Sequence, residues 1–218
     1  MKQQHILNIG FPRCATTWLW NILIDHPMIN FPWDQKENSL IFDALCNDYE
    51  NFYNQYDISA NFNPNLWMID QELIKYLGQH ATHVSIILRN PYNFIERYYD
   101  FVGRSMKPNE FIDFLIGCNY VDYSKIVNRW VTNISSNTKF KIFYFDDIEA
   151  NPKIFLSKYF EFINLDAIMT NDVDQIYNET IHQSRTSLNF TSKQREIINQ
   201  QIVDFSKTVN TDFSHWIK

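Results

Sequence analysis

The sequence lacks the features that define several common classes of protein. Only three of its 218 residues are cysteines, Cys14, Cys46 and Cys118, and three widely separated cysteines provide neither a disulfide framework nor the paired spacing of a zinc site. No run of 18 apolar residues occurs, and the residues before the first apolar run leave no room for a signal peptide. A reducing compartment, a cytoplasmic location and no membrane span are therefore expected.

A basic excess is also absent. The net charge is -6, whereas a generic nucleic-acid binder carries a surplus of lysine and arginine. The 45% hydrophobic and 17% aromatic content is far from that of a disordered chain. This length fits one folded domain, and no repeat or linker divides the chain. We therefore predict a single domain over residues 1–218 and no nucleic-acid partner.

Short apolar runs alternate with helical patterns along the chain. The predicted strands and the helices that follow them cover residues 5–9 and 16–25, 84–88 and 91–102, and 140–145 and 152–163. Strands that alternate with helices predict right-handed crossovers and a parallel sheet. The expected fold class is α/β, with three layers, a central parallel sheet and a likeness to P-loop NTPases. A capping-box pattern at Thr191 to Gln194 predicts a further helix to about Lys207.

The strongest motif is the turn between the first strand and the first helix, Gly10 to Thr17, which reads GFPRCATT. It has the spacing of a P-loop, but Ala15 stands at the second glycine and Thr16 at the lysine. A strand-to-helix turn directs backbone N–H groups and the positive helix end toward an anion, whichever side chains line it. The motif therefore predicts a phosphate site, and the missing lysine argues against triphosphate hydrolysis.

The same motif, extended through Trp18 and Leu19, resembles the 5'-phosphosulfate loop of sulfotransferases that use 3'-phosphoadenosine-5'-phosphosulfate (PAPS). The resemblance implies that Thr16 and Thr17 hold the 5'-phosphate, that Arg13 assists at the bridging oxygen and that Trp18 lies by the adenine. The rest of the loop, Pro12, Cys14 and Ala15, is implied to contact the nucleotide as well. Two positions depart from the family pattern, Cys14 for serine and Ala15 for glycine, and the loop is strained if Ala15 needs a positive φ.

A second motif, Arg89-Asn90-Pro91 at the end of the second predicted strand, resembles the segment that binds the 3'-phosphate in that family. Arg89 matches its arginine, whereas Arg97 stands where the family has a serine. Arg97 either supplies a charged contact of its own or points to solvent. Arg185 falls where the family often brings a basic loop over the same phosphate. The structural alternative for Arg89 is a strand-end arginine paired with a surface carboxylate.

Candidate catalytic residues follow the first helix. His26-Pro27 and then Lys36-Glu37 resemble the pattern of Golgi-type and bacterial sulfotransferases, in which the glutamate is the proposed general base. The resemblance implies Glu37 as the base and Lys36 as a donor to the sulfonate or to the leaving phosphate, beside Arg13. The alternative is that Lys36 and Glu37 form a solvated loop pair.

A weaker match covers residues 57–62, which resemble an acidic-Lys-Ser motif but have Ile58 in place of the lysine. Ser59 is therefore a candidate to contact the substrate, and the missing cation places more weight on Arg13 and Lys36.

These matches imply sulfonate transfer from PAPS to a hydroxyl or amine of a small-molecule or saccharide acceptor, with 3'-phosphoadenosine-5'-phosphate (PAP) as product and no metal. Two alternatives stay open at this point. One is a protein that binds the bisphosphate nucleotide without catalysis. The other is a small-molecule kinase, in which Asp146 and Asp147 would take the place of the acid that holds magnesium.

Overall fold

The computed structural model describes residues 3–31, 55–167, 173–180 and 186–218, and the chain divides into two compact units. The first unit comprises Met1–Leu88 and Asn133–His182, and the second comprises Arg89–Thr132 and Gln183–Lys218. The single domain that the sequence suggests stays a prediction.

The first unit contains a four-stranded sheet in the order β2-β1-β3-β4, in which every pair of neighbouring strands is parallel. The strands are β1 (Gln4–Asn8), β2 (Ile58–Phe62), β3 (His83–Leu88) and β4 (Lys139–Tyr144). The parallel sheet and three of its strands were predicted to within a residue or two. The strand β2 was not predicted; it is the outermost strand on one side of the sheet and carries the predicted substrate residue Ser59.

Helices of the first unit follow the strands. They are α1 (Thr16–Leu23), α2 (Gln71–His80), α6 (Phe145–Ala150), α7 (Pro152–Phe162) and α8 (Val173–Thr180). Right-handed crossovers that move in opposite directions along a sheet place their helices on opposite faces. The step from β1 to β2 and the step from β2 over β1 to β3 are such a pair, so the strand order is that of a three-layer α/β fold.

Local sequence explains the start of α7. The side chain of Asn151 accepts a hydrogen bond from Ile154 N at 3.0 Å, and Pro152 occupies the first turn, where its missing N–H costs nothing. This start was predicted. The two aspartates that precede it, Asp146 and Asp147, lie in the first turn of the short helix α6 directly after β4.

The second unit is helical in the part of it that the structure describes. Its helices are α3 (Pro91–Val102), α4 (Pro108–Gly117), α5 (Tyr123–Val131) and α9 (Ser192–Val209). Asn90 caps α3 by accepting from Tyr92 N at 3.0 Å. The capping box predicted for α9 is present, because the Thr191 hydroxyl accepts from Gln194 N and the Gln194 side chain accepts from Thr191 N.

Candidate phosphate-binding site

The Gly10–Thr17 loop leaves the sheet at its carboxyl edge, directly after β1. The chain moves from β1 to β2 on one side, whereas β3 leads to β4 on the other side, so the order of the strands reverses between β1 and β3. Ligands of open α/β sheets bind outside the carboxyl ends of the strands at such a reversal. The topology therefore places the loop at the point where this class of fold binds its ligands.

Gly10 is required by close packing inside the loop. A Cβ at this position would lie 2.2 Å from Thr16 Cγ2 and 2.7 Å from Asn8 Oδ1, distances at which atoms clash. The Gly10 N–H donates to Asn8 Oδ1 at 3.0 Å, which turns the backbone sharply as it leaves the strand. The first residue of the loop is thus fixed between the end of β1 and the start of α1.

The loop backbone is left-handed at two residues that are not glycine. Arg13 has φ 64°, and Ala15 has φ 62° and ψ 15°. For a residue with a Cβ this conformation costs about 1–2 kcal/mol. The positive φ that would strain Ala15 is therefore present. Left-handed residues within such a turn help direct successive N–H groups into a concave nest that suits an anion.

The start of α1 has no side-chain cap. Ala15, at the N-cap, has no group that can accept a hydrogen bond, and the first turn carries no acidic residue. Five other described helices are capped by a side chain, namely α2 by Asp70, α3 by Asn90, α5 by Asp122, α7 by Asn151 and α9 by Thr191, whereas α4 and α6 also lack such a cap. The first N–H groups of a helix need an acceptor, so this end is suited to a bound anion.

The loop side chains divide into buried and exposed sets. Cys14, Ala15 and Thr16 are buried, Pro12 is half-buried, and Arg13 and Thr17 are exposed. A ligand outside the loop can therefore be reached by the side chains of Arg13 and Thr17, whereas the buried residues offer their backbone. The nucleotide contacts implied for these residues stay predictions.

Trp18 is fully buried in the first unit. Its ring centroid lies 5.7 Å from that of Phe155 and 6.3 Å from that of Tyr177, in tilted and edge-on arrangements. The structure thus gives Trp18 the environment of a core residue. Its place beside the adenine stays a prediction.

Ser59 lies near the amino ends of the strands, whereas the loop lies at their carboxyl ends. It pairs in register with His5, three residues before the end of β1, and three residues span about 10 Å of a strand. Ser59 is fully buried, and its Oγ lies 2.7 Å from His5 Nδ1. Contact between Ser59 and an acceptor stays a prediction, and this position does not support it.

The two arginines of the predicted 3'-phosphate segment belong to the second unit. Arg89 and Arg97 are 7% and 5% exposed, so Arg97 does not point to solvent and Arg89 is not a surface arginine. The Arg89 carbonyl accepts a hydrogen bond from Tyr123 OH at 2.7 Å, and Arg97 lies on the buried face of α3. Their contact with a phosphate stays a prediction.

Three predicted residues, Lys36, Glu37 and Arg185, lie outside the described residues. His26 is described. It is buried, with Nδ1 accepting from Met28 N and Nε2 3.3 Å from the Asp166 carbonyl oxygen. These contacts are those of a structural histidine at the end of α1.

A buried polar cluster that was not predicted lies beneath the loop and is formed by Asn8, Ser85 and Tyr159. Asn8 Nδ2 donates to Ser85 Oγ at 3.1 Å, and Ser85 Oγ lies 3.1 Å from Tyr159 OH. Burial raises the pKa of Tyr159, so its hydroxyl keeps its proton. An asparagine inside the apolar run of residues 5–9 was the available signal, because a buried polar side chain needs partners.

Solved structures share this fold over the whole chain. A sulfotransferase from Alicyclobacillus acidocaldarius aligns with a TM-score of 0.67 at 13% identity and covers 100% of both chains. The sulfotransferase domain of the Synechococcus PCC 7002 olefin synthase aligns with a TM-score of 0.60 at 13% identity, covering 98% of this chain and 97% of its own. Mouse sulfotransferase SULT7A1, complexed with PAP, aligns with a TM-score of 0.61 at 15% identity, covering 98% and 86%.

The chain therefore has a sulfotransferase-type fold, as its sequence motifs suggested. No family model matches the sequence, and no curated protein matches it. Within residues 3–31, 55–167, 173–180 and 186–218, no group of three metal-ligating side chains occurs. Among the helices of these same ranges, none is both long enough and apolar enough to cross a membrane.

Proposed function

We propose that this protein transfers a sulfonate group from PAPS to a hydroxyl or amine of a small-molecule or saccharide acceptor and releases PAP. The observation that carries the proposal is the Gly10–Thr17 loop. It stands at the strand-order reversal of a sulfotransferase-type sheet, with a left-handed backbone and an uncapped helix start. These features suit a bound phosphate group, and the family resemblance of the loop supports a 5'-phosphosulfate as that group.

The loop supplies the implied contacts in two ways. Backbone N–H groups at the start of α1 bind the 5'-phosphate, together with the exposed hydroxyl of Thr17. The exposed guanidinium of Arg13 supports the bridging oxygen, on which negative charge develops as the sulfonate leaves. Arg89 binds the 3'-phosphate in this proposal, with Arg97 and Arg185 as further cations.

The chemistry is an in-line displacement at sulfur. The acceptor oxygen or nitrogen attacks the sulfur, the bond from sulfur to the phosphate oxygen breaks, and that oxygen leaves as part of PAP. Glu37 takes the acceptor proton, and Lys36 stabilises the sulfonate or the leaving phosphate. The roles of Glu37 and Lys36 rest on the family resemblance.

Ligand-dependent stability tests the nucleotide. PAPS and PAP at micromolar concentration should raise the melting temperature, because a ligand at a hundredfold excess over its Kd stabilises the folded state by about 2.7 kcal/mol. ATP with magnesium should raise it much less, because Thr16 replaces the P-loop lysine. An equal shift with ATP would contradict the proposal and favour the kinase.

A single-turnover reaction tests the transfer itself. The protein is mixed in excess with PAPS labelled in its sulfonate and with a mixture of phenols, alcohols, amines and saccharides, and the label is followed from nucleotide to acceptor. Transfer to one of these acceptor classes is the expected result. Tight PAP binding without transfer in any mixture would favour the non-catalytic nucleotide-binding protein.

A further inference from the structure

The hydrogen bonds beneath the loop form a single chain from α7 to the loop backbone. Asn8 Nδ2 donates to Ser85 Oγ at 3.1 Å, Ser85 Oγ lies 3.4 Å from the Leu7 carbonyl oxygen, and Tyr159 OH lies 3.1 Å from Ser85 Oγ. Asn8 Oδ1 accepts from Gly10 N. Asn8 and Ser85 are fully buried, as is Tyr159, so water does not compete for these groups.

The donors and acceptors of these side chains favour one arrangement of their hydrogen bonds. A serine hydroxyl has one proton to donate and two lone pairs to accept with. Asn8 and Tyr159 both donate to Ser85 Oγ when Ser85 donates to the Leu7 carbonyl, and the Asn8 side chain also hydrogen-bonds Tyr159. A flipped Asn8 amide would then direct its oxygen toward a hydroxyl with no spare proton and its NH2 toward the Gly10 N–H. Asn8 Oδ1 is thus held facing Gly10.

The position of Gly10, fixed by its hydrogen bond to Asn8, in turn affects the start of α1. It packs so closely on Thr16, the first residue of α1, that a Cβ would lie 2.2 Å from Thr16 Cγ2. We propose that Asn8, oriented by Ser85 and Tyr159, is a positioning residue that sets the geometry of the phosphate loop and so its affinity for the nucleotide. This inference rests on the proposed function, since it assumes that the loop binds PAPS and PAP.

Matched hydroxyl deletions test the inference. Ser85→Ala removes a hydroxyl that contacts β1 beneath the loop. Thr82→Val removes one that contacts β1 at the other end of the sheet, where Thr82 Oγ1 accepts from His5 N and donates to His5 O, each at 3.0 Å. Titration calorimetry with PAP should show about fivefold weaker binding for Ser85→Ala and a change below twofold for Thr82→Val. Equal losses in the two variants would overturn the inference.

Variants of Asn8 add a readout that general destabilisation would not change. Asn8→Ala should weaken PAP binding about tenfold, by the same factor at every pH. Asn8→Asp keeps an oxygen for the Gly10 N–H but places a carboxylate beneath the bound phosphate. Its Kd, divided by that of the wild type at the same pH, should rise as the pH is raised through the titration of that carboxyl group. A ratio that does not change with pH would overturn the inference.

The outcomes separate the two proposals. Wild-type protein that fails to bind PAP would contradict the proposed function, and the positioning of a nucleotide loop would fall with it. Wild-type protein that binds PAP, together with an Asn8→Ala variant that binds it equally well, would overturn only the positioning role. Tyr159→Phe, a milder change, should fold and weaken PAP binding about twofold, and it replaces Asn8→Ala in this comparison should that variant not fold.

Discussion

The polar groups at the amino ends of the strands (the amino edge of the sheet) have different surroundings from those at the carboxyl ends (the carboxyl edge). At the amino edge, His5 Nδ1 lies 2.7 Å from Ser59 Oγ, and His83 Nδ1 lies 2.9 Å from Thr82 Oγ1. Asn164 Nδ2 lies 3.2 Å from His83 Nε2. Buried polar side chains here are paired with one another or with the backbone, which is the ordinary condition of a folded interior.

At the carboxyl edge, the backbone itself has unusual features. The loop after β1 is left-handed at Arg13 and Ala15, and α1 starts without a side-chain cap. Such departures cost stability and persist where the surrounding structure determines them, often at functional sites. Asn164 at the amino edge is also left-handed, with φ 54°, but asparagine adopts this conformation more readily than arginine or alanine. In our proposal the amino edge maintains the fold and the loop at the carboxyl edge binds the ligand.

The largest expected effect concerns the proposed base. Glu37→Gln keeps the size of the side chain but removes its ability to accept a proton, so kcat should fall by about 10²- to 10⁴-fold while PAP affinity holds. Rapid-mix turnover and calorimetry on the same preparation measure the two quantities. Glu161→Gln, a change of an exposed glutamate on α7, is the matched control. Near-normal turnover in Glu37→Gln would remove Glu37 from the role of base.

The next effect concerns the 3'-phosphate. Arg89→Ala should weaken PAPS binding by about 1.5–3 kcal/mol, because a charge-assisted hydrogen bond is lost. Adenosine 5'-phosphosulfate lacks the 3'-phosphate, so its affinity should hardly change. Arg129→Ala, which removes a half-buried arginine of the same unit, should affect neither nucleotide. Equal losses for the two nucleotides in Arg89→Ala would show that Arg89 is structural.

A glycine substitution tests the packing of the loop. Gly10→Ala should lower the free energy of unfolding by about 1–3 kcal/mol, because the added methyl group would lie 2.2 Å from Thr16 Cγ2 and overpacking has this cost. Urea denaturation measures the change. Gly117 at the end of α4 has nothing within 4 Å of a built Cβ, so Gly117→Ala should be neutral or slightly stabilising. A Gly10→Ala protein as stable as the wild type would show that the loop can shift.

Two buried histidines at the amino edge should make the free energy of unfolding depend on pH. Burial is the main reason that the pKa of His5 and that of His83 are lowered from 6.5 to about 4, and His80 and Lys139 respectively add charge repulsion. Above pH 6.5 these histidines are neutral in both states. Between pH 6.5 and 4 the unfolded chain binds protons that the folded chain does not, so the free energy of unfolding should fall as the pH falls.

Urea midpoints across this range measure the slope. His83→Gln should flatten the pH dependence, because one of the two groups no longer titrates. A wild-type midpoint that is constant from pH 6.5 to 4 would contradict the buried, neutral state of these histidines.

Local rules in the sequence predicted much of the fold. The runs that became β1, β3 and β4 are rich in apolar residues, and some helix starts, such as Asn151-Pro152 and the Thr191 capping box, are recognisable in the sequence. The strand β2 was missed although ISANF alternates apolar and polar residues, as a strand does, because this segment was interpreted only as a match to a family motif. Its five residues are all buried, and tertiary contacts with β1 determine their conformation.

The site was predicted as a motif, whereas its supporting structure was not. The spacing from Gly10 to Thr17 and the strand and helix around it indicated a phosphate loop. The link from Tyr159 through Ser85 to Asn8 joins residues that are 74 and 77 positions apart, and no short-range pattern reports such contacts. The same limit applies to Trp18, since its motif does not reveal that Phe155 and Tyr177 cover its ring.

The smallest expected effect concerns the strain at Ala15. Ala15→Gly removes the Cβ that makes φ 62° unfavourable, a gain of about 1–2 kcal/mol. It also gives the unfolded chain more freedom, a loss of about 0.4–1 kcal/mol. The difference lies between about 0 and 1.6 kcal/mol, so the free energy of unfolding should rise by about 0.8 kcal/mol. Ala150→Gly, at the end of α6, has no positive φ to relieve and should lower the free energy of unfolding by about 0.5–1 kcal/mol.

Urea denaturation of the two variants side by side measures the difference. The PAP affinity of Ala15→Gly should not increase, because a more mobile loop must be ordered on binding. A loss of stability in Ala15→Gly as large as that in Ala150→Gly would show that the left-handed loop is not strained, and the carboxyl edge would then differ from the amino edge only in its uncapped helix.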